Sequence, residues 1–228
     1  MSSTPPLFNN KFAGVLFDLD GTLLDTAADL GNALNHVLAH YKRPLCQYDE
    51  YRCVASDGAL GLLKLGFADD YDNLSEQKLL SCRQMLLDHY EQNVCVDTTC
   101  FDGVEDTLSH LNQHSIPWGI VTNKPGFLTT QLLTHFPIME NCGVIISGDT
   151  YIKRKPHPMP LLEAARILAL PPENTLYVGD AKRDIEAAQN ANMVSVAALY
   201  GYIKDAEEVS HWKADYSIND FAQLCHIK

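Results

Sequence analysis

Residues 101–199 alternate short apolar runs with longer stretches of helical spacing. The runs Trp118–Thr122, Gly143–Ser147, Thr175–Gly179 and Met193–Ala197 are rich in β-branched and aromatic residues and too short for helices. They predict strands. Val104–Ser115, Phe127–Phe136, Met159–Leu170 and Asp184–Ala191 lie between or beside them and predict helices. Such alternation implies a parallel sheet, and strands this apolar suit a sheet covered on both faces. Ala13–Asp18 reads as one more strand, far from the rest in sequence. The pattern then changes. Ala27–His40, Asp49–Leu65 and Ser75–Asn93 have helical spacing and few β-branched residues, with Ser75 placed as an N-cap. This segment is too long for an ordinary strand-to-helix loop. The expected fold is α/β: a doubly wound parallel-sheet core from residues 1–25 and 95–228, with an all-helical domain, residues 26–94, inserted after the first strand. Tyr216–Ile218 and Asp220–Cys225 are expected to add an edge strand and a final helix.

Composition narrows the function classes. A chain of 228 residues that is 46% hydrophobic can bury one large core with a smaller domain inserted. The formal charge of −12 disfavours a nucleic-acid or anionic-lipid surface, both of which need clustered Lys and Arg. The start MSSTPPLFNNK has no basic segment followed by an apolar one, so it does not read as a secretory signal. No apolar run reaches the length of a membrane span. The seven cysteines are odd in number and include no CxxC pair, which predicts reduced thiols in a cytoplasmic protein.

The strand ends carry the chemistry. Ligands of open α/β sheets bind beyond the carboxyl ends of the strands. There the sequence offers Asp18-Leu19-Asp20-Gly21-Thr22, then Thr122-Asn123-Lys124, then Lys155 within Lys-Pro-His-Pro, then Asp180 and Asp184. Singly, each is ordinary: DxD after a strand is usually a turn, and acids at a helix start suit the dipole. Together, in chain order at successive strand ends, they are far more specific. Asp18, Asp180 and Asp184 held close would repel unless a hard divalent cation such as Mg²⁺ or the Lys155 ammonium intervened. Such a site suits phosphoryl transfer. Asp18 would attack phosphorus. Asp20, two residues on, would protonate the leaving alcohol and then accept a proton from water. Gly21 would let backbone N–H groups approach phosphoryl oxygens, and Thr122 and Asn123 would bind them through hydroxyl and amide.

FDLDGTLLDT, VTNKP, the KPHP lysine and VGDAKRDIEAA resemble the motifs of the haloacid dehalogenase superfamily over nearly the whole chain. The helical insertion looks like the cap of its phosphoglycolate phosphatase-like branch. CFDGVEDTLSHL, IPWGIVTNKP and ALYGYI…HWKADYSI resemble the N-acetylmuramate 6-phosphate phosphatases. The resemblance implies a Rossmann-like core and an aspartyl-phosphate on Asp18. It implies acid/base chemistry by Asp20, and Mg²⁺ held by Asp18, Asp180 and the Asp20 carbonyl with support from Asp184. Thr122 and Lys155 would hold the phosphoryl group. Ala55–Leu60, including Gly58, resembles the cap loop that dips toward the active site. Relatives often carry a basic residue just after that glycine; here Ala59-Leu60 follows. Arg52 and Lys64 are then the candidate cations for a substrate carboxylate. Tyr200, Tyr202 and Trp212 read either as packing or as a pocket wall. The expectation is a Mg²⁺-dependent phosphomonoesterase for a small acidic metabolite, monomeric or weakly dimeric. A sugar phosphomutase and a non-catalytic phosphate-binding module are the alternatives.

Overall fold

The computed structural model describes residues 11–205 and 209–227. The N-terminal stretch read above for a signal lies, but for Lys11, outside them. β1 (Gly14–Phe17) is followed by a two-residue strand, β2 (Leu24–Asp25). Four helices come next: α1 (Ala27–His40), α2 (Tyr48–Arg52), α3 (Gly58–Phe67) and α4 (Glu76–Gln92). The chain returns through β3 (Thr99–Cys100) and runs through α5 (Val104–Gln113), β4 (Trp118–Val121), α6 (Gly126–Leu133) and β5 (Ile145–Ile146). It finishes with α7 (Met159–Ile167), β6 (Thr175–Gly179), α8 (Lys182–Asn190), β7 (Val194–Ala198) and β8 (Tyr216–Ile218).

The main sheet is parallel throughout, in the order β5-β4-β1-β6-β7-β8. Strand periodicity sorts its side chains between two cores. Val15 and Phe17 face Trp118, Leu108 and Phe221 on one side, whereas Leu16 faces Val121, Tyr177 and the α7 and α8 residues Leu161 and Ala188 on the other. That two-sided burial is why the strands read as unbroken apolar runs. β1 is central, with β4 and β6 as its neighbours, so the chain ends of all three strands meet at one edge.

The helices α1–α4 pack on one another, α1 against α2, α3 and α4, and their buried residues are continuous with the first core of the sheet. The expected helix Asp49–Leu65 is instead broken into α2, a 3-10 turn at Ala55–Asp57 and α3. Gly58 has φ +68°, which a continuing right-handed helix cannot accommodate. The exit and return segments are tied together twice. β2 and β3 pair antiparallel, Leu24 opposite Cys100. The buried Asp29 carboxylate also accepts from Val96 N, Asp97 N, Thr98 N and Thr98 Oγ1 at 2.7–3.1 Å. The expected tail helix is a 3-10 turn, Phe221–His226, started by Asp220 accepting from Ala222 N at 2.7 Å. Among the described residues no helix is long and apolar enough to cross a membrane.

Candidate active site

β1 is apolar up to Phe17, and Asp18 follows where the ladder ends; it is buried and accepts from Leu19 N at 2.7 Å. The chain then turns at Gly21, with φ +80°, and a β-carbon there would collide with the Asp180 carboxylate. Conformation and space both demand glycine, and the DxDG spacing thereby brings the first strand end against the β6 end.

Lys155 lies at the centre. Its Nζ is 2.9 Å from Asp18 Oδ1 and 2.8 Å from Asp184 Oδ1, and it donates to Tyr177 OH at 2.7 Å. Tyr177 OH in turn donates to Val121 O at 2.8 Å. The Lys155 backbone is clamped by Asn123, whose Nδ2 donates to Lys155 O at 3.0 Å and whose Oδ1 accepts from Lys155 N at 3.1 Å. The Asn123 amide thus holds the lysine loop and, among the described residues, keeps a second Nδ2 hydrogen unengaged.

β6 ends at Gly179, and Asp180 and Asp184 follow at the start of α8. Asp184 Oδ2 accepts from Ala181 N at 3.0 Å, a helix-start arrangement that fixes its other oxygen toward Lys155. Asp180 accepts from Ser56 Oγ at 2.9 Å, Tyr202 N at 3.0 Å and Thr22 Oγ1 at 3.3 Å. Asp18, Asp180 and Asp184 each present an oxygen within 4.8 Å of the others. Burial, then the Asp184 and Asp18 charges, push the Asp180 carboxyl up to about 7. Burial also raises Asp184, against the pull of Lys155. Lys155 and the Arg183 guanidinium, whose charge also acts on Asp18, Asp180 and Asp184, do not together balance three buried carboxylates. The cluster therefore fits a hard divalent cation with oxygen ligands, which would relieve the repulsion.

Asp20 belongs to a second network. Its Oδ1 accepts from Lys124 Nζ at 2.9 Å and from Thr26 Oγ1 at 2.7 Å, while its Oδ2 has no partner among the described residues. Lys124 is buried and also donates to Tyr90 OH of α4 at 2.8 Å. Burial alone would lower its pKa, but the Asp20 carboxylate and Tyr90 hold it above the usual lysine value. Thr122 Oγ1 accepts from Lys124 N at 3.1 Å, which leaves its hydroxyl proton for another acceptor. Sequence reasoning gave Lys124, Tyr90, Tyr177 and Ser56 no roles. Lys124 and Ser56 carried a signal, Lys124 because it stands in the same strand-end loop as Thr122 and Asn123, and Ser56 because it lies in the Ala55–Leu60 loop.

A cavity of about 420 Å³ opens over these groups. Asp18, Asp20, Thr122, Asn123 and Lys155 line it from the sheet, and Gly58 and its neighbours from the helical segment. Ser56 reaches Asp180, and Arg183 of α8 bonds Asp57 Oδ1 at 3.2 Å and Ser56 O at 2.6 Å, so the 3-10 turn is docked on the site. Arg52 is elsewhere. It donates to Tyr200 O at 2.9 Å and covers the Tyr202 ring, and it does not line the cavity. A carboxylate-binding role for Arg52 is therefore set aside, because its charge already serves a structural contact. Lys64 is exposed and outside the cavity lining. Tyr200 and Tyr202 pack and hydrogen-bond instead of lining the pocket: Tyr200 OH donates to Thr22 O at 2.9 Å and Tyr202 OH to Asp25 Oδ1 at 2.9 Å. Trp212 packs against Ile185, Ala197 and Val209.

The model of the haloacid dehalogenase-like hydrolase family matches residues 15–198. A Xanthomonas campestris protein named phosphoglycolate phosphatase is 40% identical over 210 residues, covering 92% of this chain and 93% of the relative. A Pseudomonas aeruginosa protein named N-acetylmuramic acid 6-phosphate phosphatase is 32% identical over 217 residues, 95% of each chain. The crystal structure of a predicted phosphoglycolate phosphatase from Haemophilus somnus superposes with a TM-score of 0.84 at 28% identity, covering 95% of this chain and 98% of that one.

Proposed function

The chain belongs to the haloacid dehalogenase-like hydrolase family and is a phosphatase of it; on that premise we propose that it hydrolyses phosphomonoesters of small acidic metabolites through an aspartyl-phosphate on Asp18. Residues 26–94 act as a cap over a core formed by residues 1–25 and 95–228. The substrates named for its relatives, phosphoglycolate and N-acetylmuramic acid 6-phosphate, both join a phosphoryl group to a carboxylate-bearing alcohol. The observation that carries the reading is the convergence of Asp18, Asp180 and Asp184, two of them paired with buried Lys155, beside the open Oδ2 of Asp20.

Asp18, Asp180 and Asp184 would hold Mg²⁺, with the Asp20 carbonyl as a further oxygen ligand. When bound, the metal neutralises charge on the phosphoryl oxygens and the carboxylates. The chain's own groups do the rest. Lys155 Nζ, fixed by Tyr177 OH, orients the Asp18 carboxylate and offers positive charge to the phosphoryl group. Thr122 donates its free hydroxyl proton to a phosphoryl oxygen, and backbone N–H groups at the Gly21 turn approach another. Asn123 acts by positioning Lys155. Asp18 attacks phosphorus as the P–O bond to the alcohol breaks. Asp20 Oδ2 gives the departing oxygen its proton and later removes one from the water that cleaves the acyl phosphate. Lys124 and Thr26 hold the other Asp20 oxygen, so Oδ2 is the one that moves the proton. The docked 3-10 turn, with Gly58 in the cavity wall, limits water around the reacting centre.

A phosphate-release assay with Mg²⁺ over a panel of phosphomonoesters tests this. Release from acidic phosphometabolites is expected, and none from Asp18→Asn. Isomerised sugar phosphate without inorganic phosphate would favour the mutase alternative.

A further inference from the structure

The cations around the cavity differ in what already holds them. Lys155 meets Asp18 and Asp184, Lys124 meets Asp20, and Arg183 meets Asp57. Arg83 lines the same cavity from α4, half-buried, and among the described residues it has no ion pair, hydrogen bond or ring contact. Arg154 is also unpaired, but it is exposed and adjoins Lys155, on the sheet side.

The position of Arg83 along α4 sets a length. α4 turns Arg83, Leu86, Leu87 and Tyr90 toward the cavity, a spacing that keeps them on one helix face. Tyr90 marks the level of the chemistry, since its hydroxyl accepts from the lysine that holds Asp20. Seven residues at 1.5 Å each place the Arg83 backbone about 10 Å farther along the helix. Leu86 and Leu87 lie between them, and Ala59, Leu60 and Leu30 add further apolar wall. Ala59-Leu60 thus supply hydrocarbon where a cation was sought after Gly58, and the cation comes from another helix.

We propose that Arg83 is a specificity-determining residue that receives a carboxylate at the far end of the leaving alcohol. The favoured substrate is then an extended phosphomonoester of sugar-acid size, whose partly apolar body lies along Leu86 and Leu87. An arginine suits this role because its planar guanidinium can take a carboxylate through two hydrogen bonds. A compact ester with its carboxylate next to the phosphoryl group would then gain less from Arg83 than an extended one. This proposal rests on the phosphatase reading.

Steady-state kinetics of the wild type, Arg83→Met and Arg83→Lys test it with three substrates. These are N-acetylmuramate 6-phosphate, N-acetylglucosamine 6-phosphate, which has the same ring without the lactyl carboxylate, and 2-phosphoglycolate. The wild type should prefer the muramate ester over the glucosamine ester. In Arg83→Met the ratio of their kcat/KM values should fall roughly ten- to hundredfold, mainly through the muramate KM, as for one lost charge-assisted hydrogen bond. Arg83→Lys should restore part of the ratio, and 2-phosphoglycolate should lose less than the muramate ester. An unchanged ratio in both variants, or a wild type indifferent to the lactyl carboxylate, overturns the role of Arg83 and leaves the phosphatase reading standing. A wild type that releases phosphate from none of the three with Mg²⁺ overturns that reading, and the role of Arg83 with it.

Discussion

Raising the pH without divalent metal should weaken the protein, and Mg²⁺ should oppose the loss. Asp180 is buried beside Asp184 and Asp18, and its carboxyl is pushed up from 3.8 to about 7. Its folded-state pKa therefore lies above its unfolded value. Between about pH 4 and 7 the folded state keeps a proton that the unfolded state has released, so stability falls as pH rises and stays low above 7. The interval of about three pH units corresponds to a loss on the order of 4 kcal/mol at 1.36 kcal/mol per unit. That is a large share of a typical stability of about 5–15 kcal/mol. A bound cation replaces the proton as the partner of Asp180, so the metal-bound form escapes much of the penalty. Urea unfolding followed by circular dichroism, with EDTA or with saturating Mg²⁺, reads this directly. The difference between the two series should widen from pH 5 to 7 and level off above that. Asp180→Asn should flatten most of the widening. A Mg²⁺ increment that is constant from pH 5 to 8, or equally steep in Asp180→Asn, would refute the reasoning.

Other outcomes follow from single contacts. Asp29→Ala leaves the backbone donors of residues 96–98, that of Thr98 buried, without their charged acceptor, and should lower the unfolding free energy by about 3 kcal/mol in denaturant titrations. Lys124→Met frees Asp20 from its ion pair and Tyr90 from its donor; kcat should fall at least about tenfold, the scale of one misplaced acid/base group, with little change in the Mg²⁺ titration. Arg52→Ala removes a strut to Tyr200 O, and should reduce the melting temperature without changing the preference for acidic over neutral substrates. Tyr177→Phe removes the hydroxyl that aims Lys155, and should lower kcat/KM while leaving the far-ultraviolet spectrum intact.

How far the sequence reached can be traced through particular residues. The strands were legible because β1, β4 and β6 are buried on both faces, so Val15 and Leu16 are equally apolar although they enter different cores. The helices α1 and α4 were legible to within a residue or two. β2 and β3 were not, because each has two residues and exists only through its partner. The break in the second helical stretch escaped because a single Gly58 at positive φ decides it, and the local spacing on either side remains helical. Asp18, Lys155 and Asp184 were found from their places after strands, and the structure brings them into contact. Arg52 was misjudged for a physical reason: its acceptor, Tyr200 O, is 148 residues away and no local pattern announces it. The clamp of Asn123 on the Lys155 backbone gave no signal for a similar reason, since the two residues stand 32 apart in sequence. Arg83 gave no signal, because an arginine on a helix is ordinarily solvated and only the folded cavity singles it out.

The most direct measurement is peptide mass spectrometry after acid quenching during turnover with Mg²⁺. Phosphate should be found on the peptide containing Asp18, on that residue's side chain, and should be absent in Asp18→Asn. Turnover at full rate in Asp18→Asn, or phosphate trapped on a different residue, would contradict the proposed chemistry.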